Sequence, residues 1–229
     1  MESRDPEHDT DEPEEARATE PRWLRRTPIR PVEWWGPPLA QLIGSSLVLA
    51  LGTWLHVAGV PGALFAAVVT GTSGVVGAVA LGIVGHEAYQ RPSRATSWRL
   101  HRVRVASWSA GCVALFLYAL VVGAQTILFA VVIGLCAARF LRHDDPTRFE
   151  LLGRSAATAA VAVLSAVFAV VALTVPGIDG AHAARWIGWG VVVVPVSVIS
   201  AVMDGRGASR TTEPDRVEGP LSAPDRTAS

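Results

Sequence analysis

The sequence predicts an all-α, polytopic integral membrane protein with six transmembrane helices arranged as three hairpins. Half of its 229 residues are hydrophobic and only 17 % are charged, whereas a soluble domain usually carries about a quarter charged residues. Between Glu33 and Glu87 the only titratable side chains are His56 and His86. Long uncharged stretches suit lipid, because a charge at the bilayer centre is costly.

Six apolar segments carry this prediction. The stretch from Val105 to Leu141 is too long for one ordinary span. Gly123, Ala124, Gln125 and Thr126 divide it into two segments of about 17 residues, each just long enough to cross the hydrocarbon. The predicted spans are residues 38–57, 62–84, 105–122, 126–141, 155–175 and 186–203.

The arginines predict the orientation of these spans. All 20 basic residues are arginine, and basic residues in short loops mark the cytoplasmic side. Only Arg185 lies between spans on the opposite side. The predicted cytoplasmic side carries Arg22, Arg25, Arg26, Arg30, Arg91, Arg94, Arg99, Arg102, Arg104, Arg139, Arg142, Arg148, Arg154, Arg206 and Arg210. Both termini are therefore expected in the cytoplasm and the chain in the cell membrane.

Two polar segments flank the spans. Residues 1–36 are acidic and then basic, and Trp34 and Trp35 are expected to anchor them at the headgroups. Residues 204–229 are polar and mixed in charge. Neither segment holds enough apolar surface to offset the entropy of ordering, so both are predicted to be disordered cytoplasmic tails. No secretory signal is expected, because about 36 polar residues precede the first apolar stretch.

Small and polar residues within the spans predict how the helices pack. The second span is rich in Gly, Ser and Thr, which let backbones approach closely, so it is expected at the centre of the bundle. Pro195 is expected to kink the sixth span. Side-chain hydrogen bonds between helices are expected from Gln41, Thr53, Thr70, Ser109, Thr158, Ser165, Ser197 and Ser200.

Some residues invite a chemical role. Histidines and carboxylates near the cytoplasmic ends of the spans include His86, Glu87, His101, His143, Asp144 and Asp145. Histidine nitrogen and carboxylate oxygen are zinc ligands, but no pair of these residues has the i, i+4 spacing of two ligands on one helix face. They are expected to be solvated helix-end groups, and no metal ligand is assigned.

Cys112 and Cys136 lie equally far from Ala124, so an antiparallel hairpin would place them at one depth. They are expected to act as small buried hydrophobes. On the opposite side, Asp179 and Arg185 are expected to pair, with His56 and His182 nearby.

The sequence lacks the motifs of common enzymes. Without lysine there is no nucleotide-binding Gly-x-x-x-x-Gly-Lys-Ser/Thr loop, and no His-Glu-x-x-His segment is present. No catalytic or cofactor-binding residue is assigned, and the net charge of zero argues against a nucleic-acid partner.

These observations favour a non-enzymatic scaffold or interaction protein of the cytoplasmic membrane. Its expected partners are the lipid bilayer, a cytoplasmic or membrane protein, and a second copy of the chain. The alternative is a small transporter or permease subunit that works with a cytoplasmic energy-coupling partner.

Overall fold

The computed structural model describes residues 21–137 and 146–211, which are almost entirely α-helical and include no strand. A helical chain is what lipid demands, because each helix pairs its own backbone N–H and C=O groups. The elements are α1 (Arg22–Arg25), α2 (Pro31–Val57), α3 (Ala63–Gln90), α4 (Arg94–Val122), α5 (Gln125–Ala137), α6 (Arg148–Thr174) and α7 (Gly180–Arg210).

Five of these helices are long and apolar enough to cross a membrane: α2, α3, α4, α6 and α7. The prediction of a membrane protein with several helical spans is confirmed at this level. The fourth predicted span, 126–141, corresponds to α5, whose 13 residues extend about 20 Å. Residues 138–141 of that span lie outside the described residues, as do the acidic segment 1–20 and the segment 212–229.

The long helices extend beyond the predicted spans, chiefly at one end of the bundle. There α2 begins at Pro31, α4 at Arg94 and α6 at Arg148, whereas α3 ends at Gln90 and α7 at Arg210. We call this the Arg-rich end. Each extension adds about 10–16 Å of helix to the apolar segment that the sequence marks out.

Three parts of the flanking segments that were predicted to be disordered are helical in the structure, and the first is α1 at residues 22–25. Residues 31–36 form the first turns of α2, and residues 204–210 form the last turns of α7. Two helices at this end, α4 and α6, start at capping residues rather than at the edge of the apolar stretch. Ser93 accepts a hydrogen bond from the Thr96 N–H at the start of α4, and Thr147 accepts one from the Glu150 N–H at the start of α6.

The helices pack in a sequence that makes α4 the central element. α2 packs against α3, α3 against α4, α4 against α6, and α6 against α7. α4 also contacts α1 and α5. The small-residue span that was expected at the centre is α3, and it packs between α2 and α4.

The glycines of α2 and α3 instead bring these two helices close together. A methyl group at Gly52 would overlap the Cβ of Ala67 and lie 3.2 Å from the Ala63 carbonyl oxygen, and one at Gly74 would overlap the Ser45 hydroxyl. Small residues at such contacts raise the packing attraction that holds helices together in lipid.

The main apolar core lies on the other side of α4. It is built from Phe116 and Leu120 of α4, Leu128 of α5, Val161 of α6 and Val193 of α7, all buried. α7 continues as one helix through Pro195. The bundle thus has a tight α2–α3 pair on one side of α4 and a larger-residue core on the other.

The Gly52→Ala variant tests the α2–α3 contact, with Gly44→Ala of the same helix as the matched control. The Gly52→Ala methyl group has no room, so we expect a loss of about 1–3 kcal/mol, or a fall in Tm of roughly 3–10 °C in detergent. Nothing lies within 4 Å of a Cβ at Gly44, so Gly44→Ala is expected to be neutral or mildly stabilising. Equal Tm values for the two variants would contradict the close packing.

Candidate functional site

The Arg-rich end holds a layer of polar and aromatic contacts that join different elements. The short helix α1 lies against α4 there. The Trp23 ring meets the Trp98 ring edge-on at 5.2 Å between centroids, and the Thr27 and Ser97 hydroxyls are 2.6 Å apart. Trp23 is buried despite its position before the first span, so this segment packs as part of the folded protein.

His101 links α4 to the first turn of α6. Its ring stacks on Trp98 at 5.2 Å, and its Nε2 lies 3.1 Å from the Thr147 hydroxyl and 3.8 Å from a Glu150 carboxylate oxygen. Thr147 also caps α6. One buried imidazole therefore contacts the capping residue that fixes where the neighbouring helix begins.

A buried ion pair joins α6 to α7. Arg154 donates from Nε and from one terminal nitrogen to the two carboxylate oxygens of Asp204, at 3.2 and 3.0 Å. The side chains are only 3 % and 2 % exposed. One turn deeper in α7, the Ala201 carbonyl oxygen accepts a hydrogen bond from the Ser155 hydroxyl at 2.9 Å. The other Arg154 terminal nitrogen is buried and has no partner among the described residues.

A second, exposed ion pair lies between α3 and α4. Arg99 donates to both carboxylate oxygens of Glu87 at 2.8 and 2.7 Å, and the two side chains are 60 % and 39 % exposed. The Arg102 guanidinium, one turn along α4, lies 5.2 Å from the centre of the Phe149 ring of α6. These arginines border a groove between α4 and α6.

The described histidines and carboxylates among the candidate metal ligands contact different residues. His86 packs on the Trp34 ring, Glu87 pairs with Arg99, and His101 faces Thr147 and Glu150. Across the described ranges, no three His, Cys, Asp or Glu side chains form a group able to hold a metal ion. His143, Asp144 and Asp145 lie outside those ranges.

The two cysteines cannot be compared as predicted. Cys112 is half-buried and packs against the core that joins α4, α5, α6 and α7, as expected for a small hydrophobe. The side chain of Cys136 lies outside the described part of the chain, so the common depth of the two cysteines stays a prediction.

Some of the polar side chains inside the spans form hydrogen bonds between helices. Gln41 of α2 and Ser107 of α4 share hydrogen bonds of 2.9 and 3.2 Å, and Thr70 of α3 donates to the Ala114 carbonyl of α4 at 2.8 Å. The expected links between helices are confirmed for these groups.

Other polar groups in the spans form no such link. Thr53, Thr158 and Ser165 donate to carbonyl groups of their own helices. The buried Ser109 hydroxyl has no partner among the described residues.

At the opposite end, the predicted Asp179–Arg185 pair does not form. Asp179 caps α7 and lies 3.1 Å from Nδ1 of His182, and this side-chain hydrogen bond lowers the pKa of its carboxyl. Arg185 donates to the Ala181 carbonyl oxygen of its own helix at 3.0 Å. A carboxylate at a helix N-terminus is stabilised by the free N–H groups of the first turn, and this capping position turns Asp179 away from an arginine further along the helix.

A small cavity of about 10 Å³ lies beside Arg185, between Leu120, His182 and Trp186. That volume is about one water molecule, so this cavity is too small for a substrate. The groove at the Arg-rich end is larger, and it is the candidate site.

Comparison of the chain with protein-family models, with curated proteins and with solved structures finds no match. The geometry of the Arg-rich end is therefore the main evidence on function.

The Asp204→Asn variant tests whether the buried pair holds α6 and α7 together. It leaves Arg154 buried without a counter-charge, so we expect a loss of about 3–5 kcal/mol and a clear fall in Tm in detergent. Glu87→Gln, at the exposed pair, is the matched control and is expected to cost at most about 1 kcal/mol.

The double variant Arg154→Met with Asp204→Leu separates charge from shape. Apolar side chains of similar volume should restore most of the lost stability, because the desolvation cost of both charges disappears. A Tm for Asp204→Asn equal to that of Glu87→Gln would contradict a structural role for the buried pair.

Proposed function

We propose that the chain is a non-enzymatic, six-span protein of the cytoplasmic membrane, and that its Arg-rich end is a preformed docking surface in the cytoplasm. The observation that carries this proposal is the contact layer at that end. Within the described ranges, the ion pairs between helices and most of the side-chain hydrogen bonds between elements lie where the arginines do, linking Thr27 to α4 and joining α3, α4, α6 and α7. Interactions outside the lipid therefore order this surface before any partner arrives.

The arginine distribution supports both termini in the cytoplasm. The Arg-rich end carries the first turns of α2, α4 and α6, and among the arginines that the structure describes only Arg185 lies at the opposite end of the spans. Basic residues near span ends are retained in the cytoplasm. With α5 as the fourth span the number of crossings is even, which agrees with arginines at both the start of α2 and the end of α7.

The length of the helices supports a surface that rises above the membrane. The five long helices have 27–31 residues and are about 40–46 Å long, against about 30 Å of hydrocarbon. Their excess length lies mainly at the Arg-rich end. Headgroups and cytoplasmic proteins are the partners that such a surface meets.

The polar groups of the spans support a scaffold over a transporter. Gln41 and Ser107 bond to each other, and Thr70 and Ser165 donate to backbone carbonyl groups. Hydroxyls committed in this way are poor ligands for a passing solute. A permease subunit is therefore the less favoured of the two hypotheses.

Reporter fusions test the topology. A reporter that is active only in the cytoplasm should be active at either terminus, and one that is active only outside should be inactive at both. A tag inserted between α6 and α7, at residues 176–178, is expected to be labelled from outside. Termini on opposite sides of the membrane would contradict six spans, because an odd number of crossings separates them.

Purification in mild detergent from the native membrane, with mass spectrometry of the copurifying proteins, tests the docking role. We expect a cytoplasmic protein in stoichiometric amount. The segment 1–21 is rich in acidic residues and its charge complements that of a basic partner, so deleting it should lower recovery of that protein, whereas deleting residues 212–229 is the control.

A stoichiometric nucleotide-hydrolysing partner would overturn the scaffold proposal and identify a permease subunit. Recovery of the same proteins with and without residues 1–21 would show that the acidic segment has no part in docking.

A further inference from the structure

The groove at the Arg-rich end follows one face of α4. Its α4 residues are Ala95, Trp98, Arg99, Arg102, Val103 and Ala106. Their spacing of three and four residues is that of a single helix face. Phe149 of α6 forms the facing wall, and the groove has a volume of about 550 Å³.

The polarity of this groove changes along its length. From Ala95 to Ala106 the helix rises about 16 Å, and the residues pass from Trp98 and the two arginines to Val103 and Ala106. The charged part lies nearer the start of α4, and the apolar part lies at the edge of the predicted span 105–122. The same gradient, from charge to hydrocarbon, runs along a phospholipid from its phosphate to its acyl chains.

The charges in the groove do not cancel. Glu87 neutralises Arg99 through two hydrogen bonds. Arg102 is exposed, and its guanidinium contacts the Phe149 ring and forms no ion pair with any described carboxylate. A guanidinium held against a ring keeps its N–H donors free, and its fork matches two phosphate oxygens.

We infer that this groove binds one anionic phospholipid of the cytoplasmic leaflet. Its phosphate lies at Arg102 beside Arg99, with Trp98 at headgroup level, and an acyl chain follows Val103 and Ala106 toward the bilayer. Basic pockets between transmembrane helices on the cytoplasmic side are suited to anionic headgroups. The choice of leaflet rests on the orientation proposed above.

The test is native mass spectrometry of the full chain, titrated with phosphatidylglycerol and with phosphatidylcholine of the same acyl chains. The wild-type protein is expected to retain one phosphatidylglycerol in preference to phosphatidylcholine. Arg102→Gln should weaken phosphatidylglycerol binding about tenfold, the cost of losing a charge-assisted contact. Arg210→Gln removes an exposed arginine at the same end and is the matched control, expected to bind as the wild type does.

Two further variants separate the headgroup contact from the acyl-chain contact. Glu87→Gln frees Arg99 and should strengthen phosphatidylglycerol binding. Ala106→Phe fills the apolar part of the groove and should weaken binding of both lipids without changing the preference between them. Inorganic phosphate at millimolar concentration should not displace the lipid, because it lacks the acyl chain.

Equal binding of the two lipids by the wild-type protein would overturn the inference. An equal loss in Arg102→Gln and Arg210→Gln would also overturn it, because it would show attraction by total charge alone. Displacement by inorganic phosphate would identify a phosphate site in place of a lipid site. Each variant is first checked for an unchanged Tm, so that a misfolded chain is not counted. The titration does not depend on sidedness, so this inference and the proposed topology fail independently.

Discussion

In hydrocarbon, a backbone N–H or C=O group without a partner costs several kcal/mol, and this constraint shapes the whole chain. It requires continuous helices wherever the sequence is apolar, and α2, α3, α4, α6 and α7 meet that requirement. It also leaves the choice of neighbours to side chains, because lipid tails are as apolar as leucine and give helices no hydrophobic reason to associate. Close contacts at Gly52 and Gly74, and hydrogen bonds such as Gln41–Ser107, supply the association instead.

The same helices continue beyond the apolar segments, where the hydrocarbon no longer forces the backbone to be helical. At the Arg-rich end water can satisfy the backbone, so the helices persist there because caps such as Ser93 and Thr147 start them and because side chains tie them together. The Arg154–Asp204 pair is buried among protein atoms at the end of the α6–α7 contact, whereas Glu87–Arg99 is exposed. Only the first of these pairs is expected to contribute strongly to stability. In the function proposed above, the arginines around this framework serve recognition rather than folding.

Sequence reasoning predicted the helical class and the approximate positions of the five helices that are long enough to cross a membrane, because a long uncharged stretch in lipid can satisfy its backbone only as a helix. It placed two helix ends opposite the Arg-rich end well, at Val57 and Val122, where the apolar segment and the helix end together. It missed the helix extensions at the Arg-rich end. An apolar stretch marks the part of a helix that lies in lipid, whereas these extensions are polar. The Ser93 and Thr147 caps were readable signals for two of those extensions.

Part of the candidate site could also be predicted from the sequence. Arg154 and Asp204 flank the predicted spans 155–175 and 186–203 with opposite charges on one side of the membrane, which an antiparallel pair of helices brings together. The docking of α1 through Trp23 and Trp98 had no comparable signal, because it joins segments distant in sequence. The same is true of the central place of α4, which depends on contacts that small residues in α3 do not predict.

Hydrogen–deuterium exchange of the full chain in lipid nanodiscs tests the central claim, that the Arg-rich end is an ordered extension of the membrane helices. We expect slow exchange of the backbone amides at residues 97–104 and 204–208, although both segments lie outside the predicted spans. Exchange there as fast as in an unfolded chain would mean that these segments are loose loops, and it would contradict a preformed surface at this end.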